Sequence, residues 1–339
     1  MRHRTGFRAC VVMCQVSIDG MGRAGYILES HNLEMWVKGG GVWRCDSSQA
    51  NGVFMSFVIE DVLVRDDPPG RRAPLILDSP HSGTVYPRDF GFVCPFRTLR
   101  QAEDTYVDEL ISTAPEAGAT MISALFPRSY IDVNRAIDDL EPELLDAPWP
   151  KPVHPSDKSF AGMGLVRRLC RHGMPMYDGR LSVAQVTWRI DQYYRPYHEQ
   201  MTSAFDRLYR EFGTVYHLNC HSMPTFGRDP STRADFILGD RDGTTCDPDF
   251  TRYVAGFLRS LGYRVKLNDP YKGVELVRRY SNPARGLHSL QLEIHRGLFM
   301  NDESLEKHEG FGRLQSHLTE LINRLAAYAR DAVKLDAAE

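Results

Sequence analysis

Leu75-Ile-Leu-Asp-Ser-Pro-His-Ser-Gly83 runs three aliphatic residues straight into Asp78, then into Pro80, His81, Ser82 and Gly83. A short apolar run closed by turn residues reads as a buried strand of a parallel sheet. Ligands of open α/β sheets gather at the carboxyl ends of such strands. His81 therefore stands at a strand tip, and Gly83 lets the backbone turn sharply after it.

Working outward, the pattern stays α/β from Pro74 onward. Thr105–Thr113 reads as a helix, with Tyr106, Val107, Leu110 and Ile111 on one face. Strands follow at Thr120–Phe126, Val215–Ser222, Tyr263–Leu267 and Ser289–Ile294. Residues 182–212 carry a long apolar stripe at helical spacing, with Pro196 expected to kink the helix and Gly213 to cap it. Residues 250–261 and about Glu309–Val333 read as further helices. Residues 138–160, rich in Asp, Glu and Pro, are too long for a plain connector and read as a lid, a binding loop or a disordered segment.

Residues 1–54 differ from the rest. Glycines recur, Gly39-Gly40-Gly41 interrupts any element, and no strand or helix period persists. We expect 1–54 to be a poorly ordered or accessory extension, and 55–339 to be the catalytic domain.

The chain has 339 residues, 25% charged and 42% hydrophobic, an ordinary globular composition. A net charge of -3 gives no electrostatic case for nucleic acid, and no apolar run approaches membrane-spanning length. The seven cysteines form no CxxC pair, so neither a disulfide framework nor a thiolate zinc site is suggested, and a cytoplasmic setting is expected.

Two strands end in His-Ser, at His81 and His221. Two imidazoles at one sheet edge plus a carboxylate would make a zinc site with a position left for water. The nearest acids after His81 are Glu103 and Asp104.

Five blocks in order resemble the N-formylglutamate amidohydrolase family: Asp78–Gly83, Glu103–Asp108, Arg128 with Asp132–Arg135, Cys220–Pro224 and Gln291–Arg296. The resemblance spans about residues 74–330. It implies a zinc carboxypeptidase-like fold, α/β, with a mixed, mostly parallel central sheet and helices on both faces. It also implies a zinc-dependent hydrolase converting N-formyl-L-glutamate to L-glutamate and formate, a step of histidine breakdown. One zinc ion would be held by His81, His221 and Asp104, with Glu103 as the alternative acid. Glu293 would be the general base, although on pattern alone it could be an outward-facing polar residue of a strand. Arg128 would stabilise the oxyanion. Asn134 and Arg135 would grip the α-carboxylate. A second cation is needed for the side-chain carboxylate; Arg278, Arg279 and Arg285 are candidates, and Arg279 is taken. The alternatives are a deacylase of another N-acyl amino acid, or a catalytically silent binder of acidic metabolites. One departure favours the latter: Asn219 stands where the family commonly carries an acid.

Overall fold

The computed structural model describes residues 25–29, 32–36, 41–46, 54–170, 173–224 and 234–336. Eleven strands among them form one sheet: β1 Gly25–Glu29, β2 Asn32–Trp36, β3 Val42–Asp46, β4 Phe54–Ile59, β5 Leu63–Asp67, β6 Leu75–Ser79, β7 Thr120–Ala124, β8 Val215–Met223, β9 Phe236–Gly239, β10 Val265–Leu267 and β11 Leu287–His295. Their order is β1-β2-β3-β4-β5-β7-β6-β8-β11-β9-β10.

The centre, β7-β6-β8-β11, is parallel throughout. From β5 to β10, the pairings β7–β6, β6–β8, β8–β11 and β9–β10 are parallel, whereas β5–β7 and β11–β9 are antiparallel. The mostly parallel sheet expected from the resemblance is therefore present. The first five strands continue its edge as an antiparallel meander. Strands β1 to β3 lie inside 1–54, where the sequence suggested no persistent period; they are five residues each, too short for a period to stand out. The remainder of 1–54 lies outside the described residues.

β6 and β8 are buried along their whole length, as central strands covered on both faces must be. On one face Leu75, Leu77, Leu218, Leu290 and Leu292 pack with the helices Pro248–Ser260 and Gly310–Asp336. Fully burying each such leucine contributes about 1.5–3 kcal/mol. On the other face the same strands present Asp78 from β6, His217, Asn219 and His221 from β8, and Gln291 and Glu293 from β11, all buried. The register sets Asp78 against Asn219, Asn219 against Gln291, and His221 against Glu293. A polar ladder thus crosses the sheet beneath the helix that covers this face.

That helix starts at Ser182 with a capping box to Gln185. It ends at Gly213, whose φ of 75° is the left-handed cap the sequence led us to expect. Pro196 is accommodated by a π-helical turn over Ile190–Tyr194, just before it. The wider turn relieves the clash between the proline ring and the preceding carbonyls.

Of the helix expected over Thr105–Thr113 only Val107–Leu110 is helical, with short helices on either side at Phe96–Arg100 and Ala114–Ala117. Between Phe96–Arg100 and Val107–Leu110, the backbone is pulled into the sheet edge: the Asp104 N–H donates to the His81 carbonyl at 3.0 Å, and Tyr106 takes a φ of 68°. At Gly83 the requirement is close approach, not a special φ. A Cβ there would lie 2.3 Å from the Leu125 carbonyl carbon. The 138–160 segment carries a 3-10 turn at Pro142–Leu144 and a short helix at Asp157–Phe160, and much of it is exposed. Among the described residues no helix is long and apolar enough to cross a membrane.

Candidate functional site

His81 follows β6, His221 lies near the end of β8, and Asp104 hangs on the irregular segment between them. The three converge. His81 Nδ1 and His221 Nδ1 are 3.1 Å apart, and Asp104 Oδ2 lies 3.3 Å from the first and 2.9 Å from the second. All three residues are buried, and they form a His/Asp/His group able to hold a metal ion.

The far nitrogens of the rings decide what the near ones offer. His81 Nε2 lies 2.7 Å from Asp132 Oδ1, an acceptor, so that nitrogen carries the proton. His221 Nε2 lies 2.7 Å from Asn219 Oδ1. The Asn219 amide cannot be turned round, because its Nδ2 donates to Asp78 Oδ1 at 2.8 Å. His221 Nε2 also has the Asn134 Nδ2 at 3.0 Å; the Asn219 oxygen is the nearer of the two, which favours the proton on Nε2. Both Nδ1 lone pairs then face each other and a carboxylate oxygen, three acceptors with no proton among them. A cation is what satisfies such a cluster, and nitrogen, nitrogen and oxygen donors suit zinc.

The other oxygen of Asp104, Oδ1, accepts from Ser222 Oγ at 3.2 Å and from Arg296 Nη2 at 3.4 Å. Burial opposes its charge, but contact with His221 and His81 and the charge of Arg128 hold its carboxyl well below the usual range. Glu103 points elsewhere, to the Tyr86 hydroxyl and Arg100 Nε. Even beside Arg100, burial pushes its carboxyl up to about 9. The structure thus brings Asp104, not Glu103, to the histidines.

Glu293 is buried on the polar face, one strand from His221, with Gln291 Nε2 donating to it at 2.9 Å. It does not face solvent as an ordinary alternating strand residue would. Burial pushes its carboxyl up to about 7; His221 pulls it down, Asp104 pushes it up, and Arg128 and Arg296 pull it down.

Arg128 donates from Nε and Nη2 to Asp132 Oδ2 at 3.2 and 2.8 Å, and its Nη1 lies 3.9 Å from Asp104. Arg135 Nε stands 3.9 Å from the same Asp132 oxygen, too far for a hydrogen bond, and has no partner among the described residues. The Asn134 amide is engaged beside His221: its Oδ1 accepts from the Leu276 N–H at 2.8 Å and its Nδ2 sits 3.0 Å from His221 Nε2. Arg279 is exposed and directs Nη1 to the Tyr194 hydroxyl, 3.5 Å away on the helix Pro196 belongs to. Arg278 is tied to Glu275, and Arg285 lies over the Tyr209 ring.

Two residues went unread in the sequence. Arg167, buried in the loop after Phe160, interacts electrostatically with Arg128, Asp132, Arg135 and Asp104. Asp78 backs Asn219 and through it His221. A carboxylate directly after the apolar run Leu75–Leu77 was a signal for Asp78; Arg167 had none, because its loop carries no period.

A parallel-centred α/β sheet that gathers two imidazoles, a carboxylate and a glutamate ionising near neutrality at its strand ends is laid out for hydrolysis. The chain belongs to the N-formylglutamate amidohydrolase family, whose sequence model matches residues 73–300. It is 29% identical to the N-formylglutamate deformylase of Pseudomonas aeruginosa over 273 residues, 77% of this chain and 95% of that one. The deformylase of Pseudomonas putida is also 29% identical, over 68% of this chain and 83% of its own. The crystal structure of N-formylglutamate amidohydrolase from Ralstonia eutropha superposes with a TM-score of 0.78 at 46% identity, covering 80% of this chain and 99% of that one.

Proposed function

We propose that this protein hydrolyses N-formyl-L-glutamate to L-glutamate and formate, using one zinc ion held by His81, Asp104 and His221. The carrying observation is the convergence of three unprotonated donors, His81 Nδ1, His221 Nδ1 and Asp104 Oδ2, one strand from Glu293. The names of the relatives support the substrate.

Bound there, the ion supplies Lewis-acid chemistry, acidifying water and polarising a carbonyl. Glu293 takes the proton from the attacking water and returns it to the departing amine nitrogen as the C–N bond breaks. Arg128 places N–H donors near Asp104, where negative charge grows on the formyl oxygen. Arg135, with an unpartnered buried Nε, binds the α-carboxylate. Asp78 restores through Asn219 the anionic backing that the Asn219 departure removed, which favours an enzyme over a silent binder. A reducing, cytoplasmic setting suits Cys94, Cys170, Cys220 and Cys246, which are buried and free.

The test is formate release from N-formyl-L-glutamate. Chelation should reduce release to background, and added zinc should restore it. Full-rate release from protein shown to be metal-free would reject the zinc assignment; absence of release from zinc-loaded protein would reject the substrate.

The pH profile gives a second check. Only ionised Glu293 accepts a proton, so kcat/KM should rise with pH. A cation in the cluster pulls the carboxyl down further, placing the acid limb at or below about 7. A kcat/KM with no acid limb at any pH below about 7 at which the protein stays folded would count against Glu293 as base.

A further inference from the structure

We infer that Arg167 is the cation that recognises the side-chain carboxylate of the substrate, and so selects a dicarboxylic N-acyl amino acid. The inference rests on the reading above and deepens it.

Arg167 is 9% exposed, yet its Nε has no hydrogen-bond partner among the described residues. Buried polar groups are normally paired, and an unpaired one in a native structure calls for a ligand or a function. Its surroundings point to an anion. Arg128, Arg135 and Arg167 bring three guanidinium charges against the carboxylates of Asp132 and Asp104. Both carboxylates are committed, Asp132 to His81 and Arg128, and Asp104 to the two histidines. Among the described residues Arg167 is left without a counter-ion of its own. Burial, and next the charge of Arg128, push its guanidinium down to about 9.

The chain builds this position deliberately. The Asp132 N–H donates to the Leu165 carbonyl at 2.8 Å, and the Leu165 N–H donates to the Asp139 carbonyl at 2.8 Å. The neighbouring Arg168 is clamped to Glu141 through two contacts of 2.8 Å. The loop is thereby fixed on both sides of Arg167, which turns inward. Arg128 and Arg135 both stand at Asp132, so a dicarboxylate lying across the cluster finds its second cation in Arg167. Arg279, at the surface beside Tyr194, does not supply it.

The experiment compares Arg167→Met and Arg167→Lys with wild type, on N-formyl-L-glutamate and on N-formyl-L-glutamine, which differ only at the side-chain end. Calorimetric titration with L-glutamate and L-glutamine runs in parallel on the zinc-supplied proteins. Arg167→Met should lose about 10- to 100-fold in kcat/KM on the glutamate substrate, the range for a charged hydrogen-bonded contact, and little on the glutamine substrate. Arg167→Lys should fall between. The ligand-free Met variant should melt no lower than wild type, since it sheds a poorly stabilised buried charge; if it fails to fold, the Lys variant carries the comparison. Equal losses on both substrates, or none on either, would overturn the assignment. If wild type releases no formate, the proposed function fails by itself. Titration then still decides Arg167: selective loss of L-glutamate binding supports it, and any other result, including no binding by wild type, overturns it.

Discussion

Glu293→Gln is expected to lower kcat for formate release by about 10²- to 10⁴-fold, the usual worth of a general base, with zinc content and KM close to wild type. The substitution is nearly isosteric. Gln291 Nε2, 2.9 Å from Glu293 Oε1, can donate equally well to an amide oxygen, so the new side chain keeps its place. What disappears is the acceptor for a proton. The donor cluster is untouched, because Glu293 is not among the three converging groups. Folding should not suffer. A carboxyl raised to about 7 is protonated in the folded protein at pH values where the unfolded chain has released its proton. Its contribution to stability therefore falls as pH rises from the unfolded value through about 7. The glutamine has no such loss, so metal-free variant should melt no lower than metal-free wild type above that range. Zinc analysis, melting curves and single-turnover formate release make the check. A variant retaining more than about a tenth of wild-type kcat would remove Glu293 from the role of base.

How much of this was legible follows from where each residue sits. His81 and His221 could be read because buried strands leave a plain signal, a continuous apolar run, and both histidines close one. Glu293 could be placed on a strand but not on a face, since inward and outward polar residues alternate alike until the covering helix is known. Asp104 could be read only as half of a pair. A helix start was the natural expectation there, and the contact of its N–H with the His81 carbonyl, which breaks the helix, is a tertiary event no local pattern announces. Arg279 is taken from Arg278, Arg279 and Arg285, which lie near the Lys272-Gly273 loop, and Arg167 is not weighed at all. Distance along the chain is a poor guide to which cation a folded loop turns inward. The pair Asn134-Arg135 reads as one unit in the sequence, but in the fold the Asn134 amide meets His221 while the Arg135 guanidinium stands near Asp132.

Asp78→Ala should be the most destabilising of these changes, by about 3–5 kcal/mol, and should also weaken zinc binding about 10- to 100-fold. Asp78 is fully buried and accepts from His217 Nε2 at 2.9 Å, Asn219 Nδ2 at 2.8 Å and the Tyr197 hydroxyl at 2.7 Å. One carboxylate thereby ties β6 to β8 and to the helix Arg195–Phe212. Removing it strands three buried donors, a large fraction of the about 5–15 kcal/mol that holds a domain folded. Burial opposes the charge of Asp78, but His217 and the other hydrogen bonds hold its carboxyl below the usual range. Its stabilisation is thus present above the unfolded carboxylate value and lost as pH falls through the depressed one. The effect on zinc has a separate route. Without Asp78 nothing fixes the Asn219 amide, which can turn its nitrogen towards His221 Nε2 and force the ring proton onto Nδ1, where it points at Asp104. The donor cluster then begins with one lone pair fewer. Asn219→Ala isolates this second route and should lower zinc affinity with a smaller stability loss. Denaturant unfolding of the metal-free proteins gives the first quantity and chelator competition the second. Zinc affinity unchanged in both variants would reject this route, since the Asn134 nitrogen, 3.0 Å from His221 Nε2, is a donor and cannot replace the Asn219 oxygen.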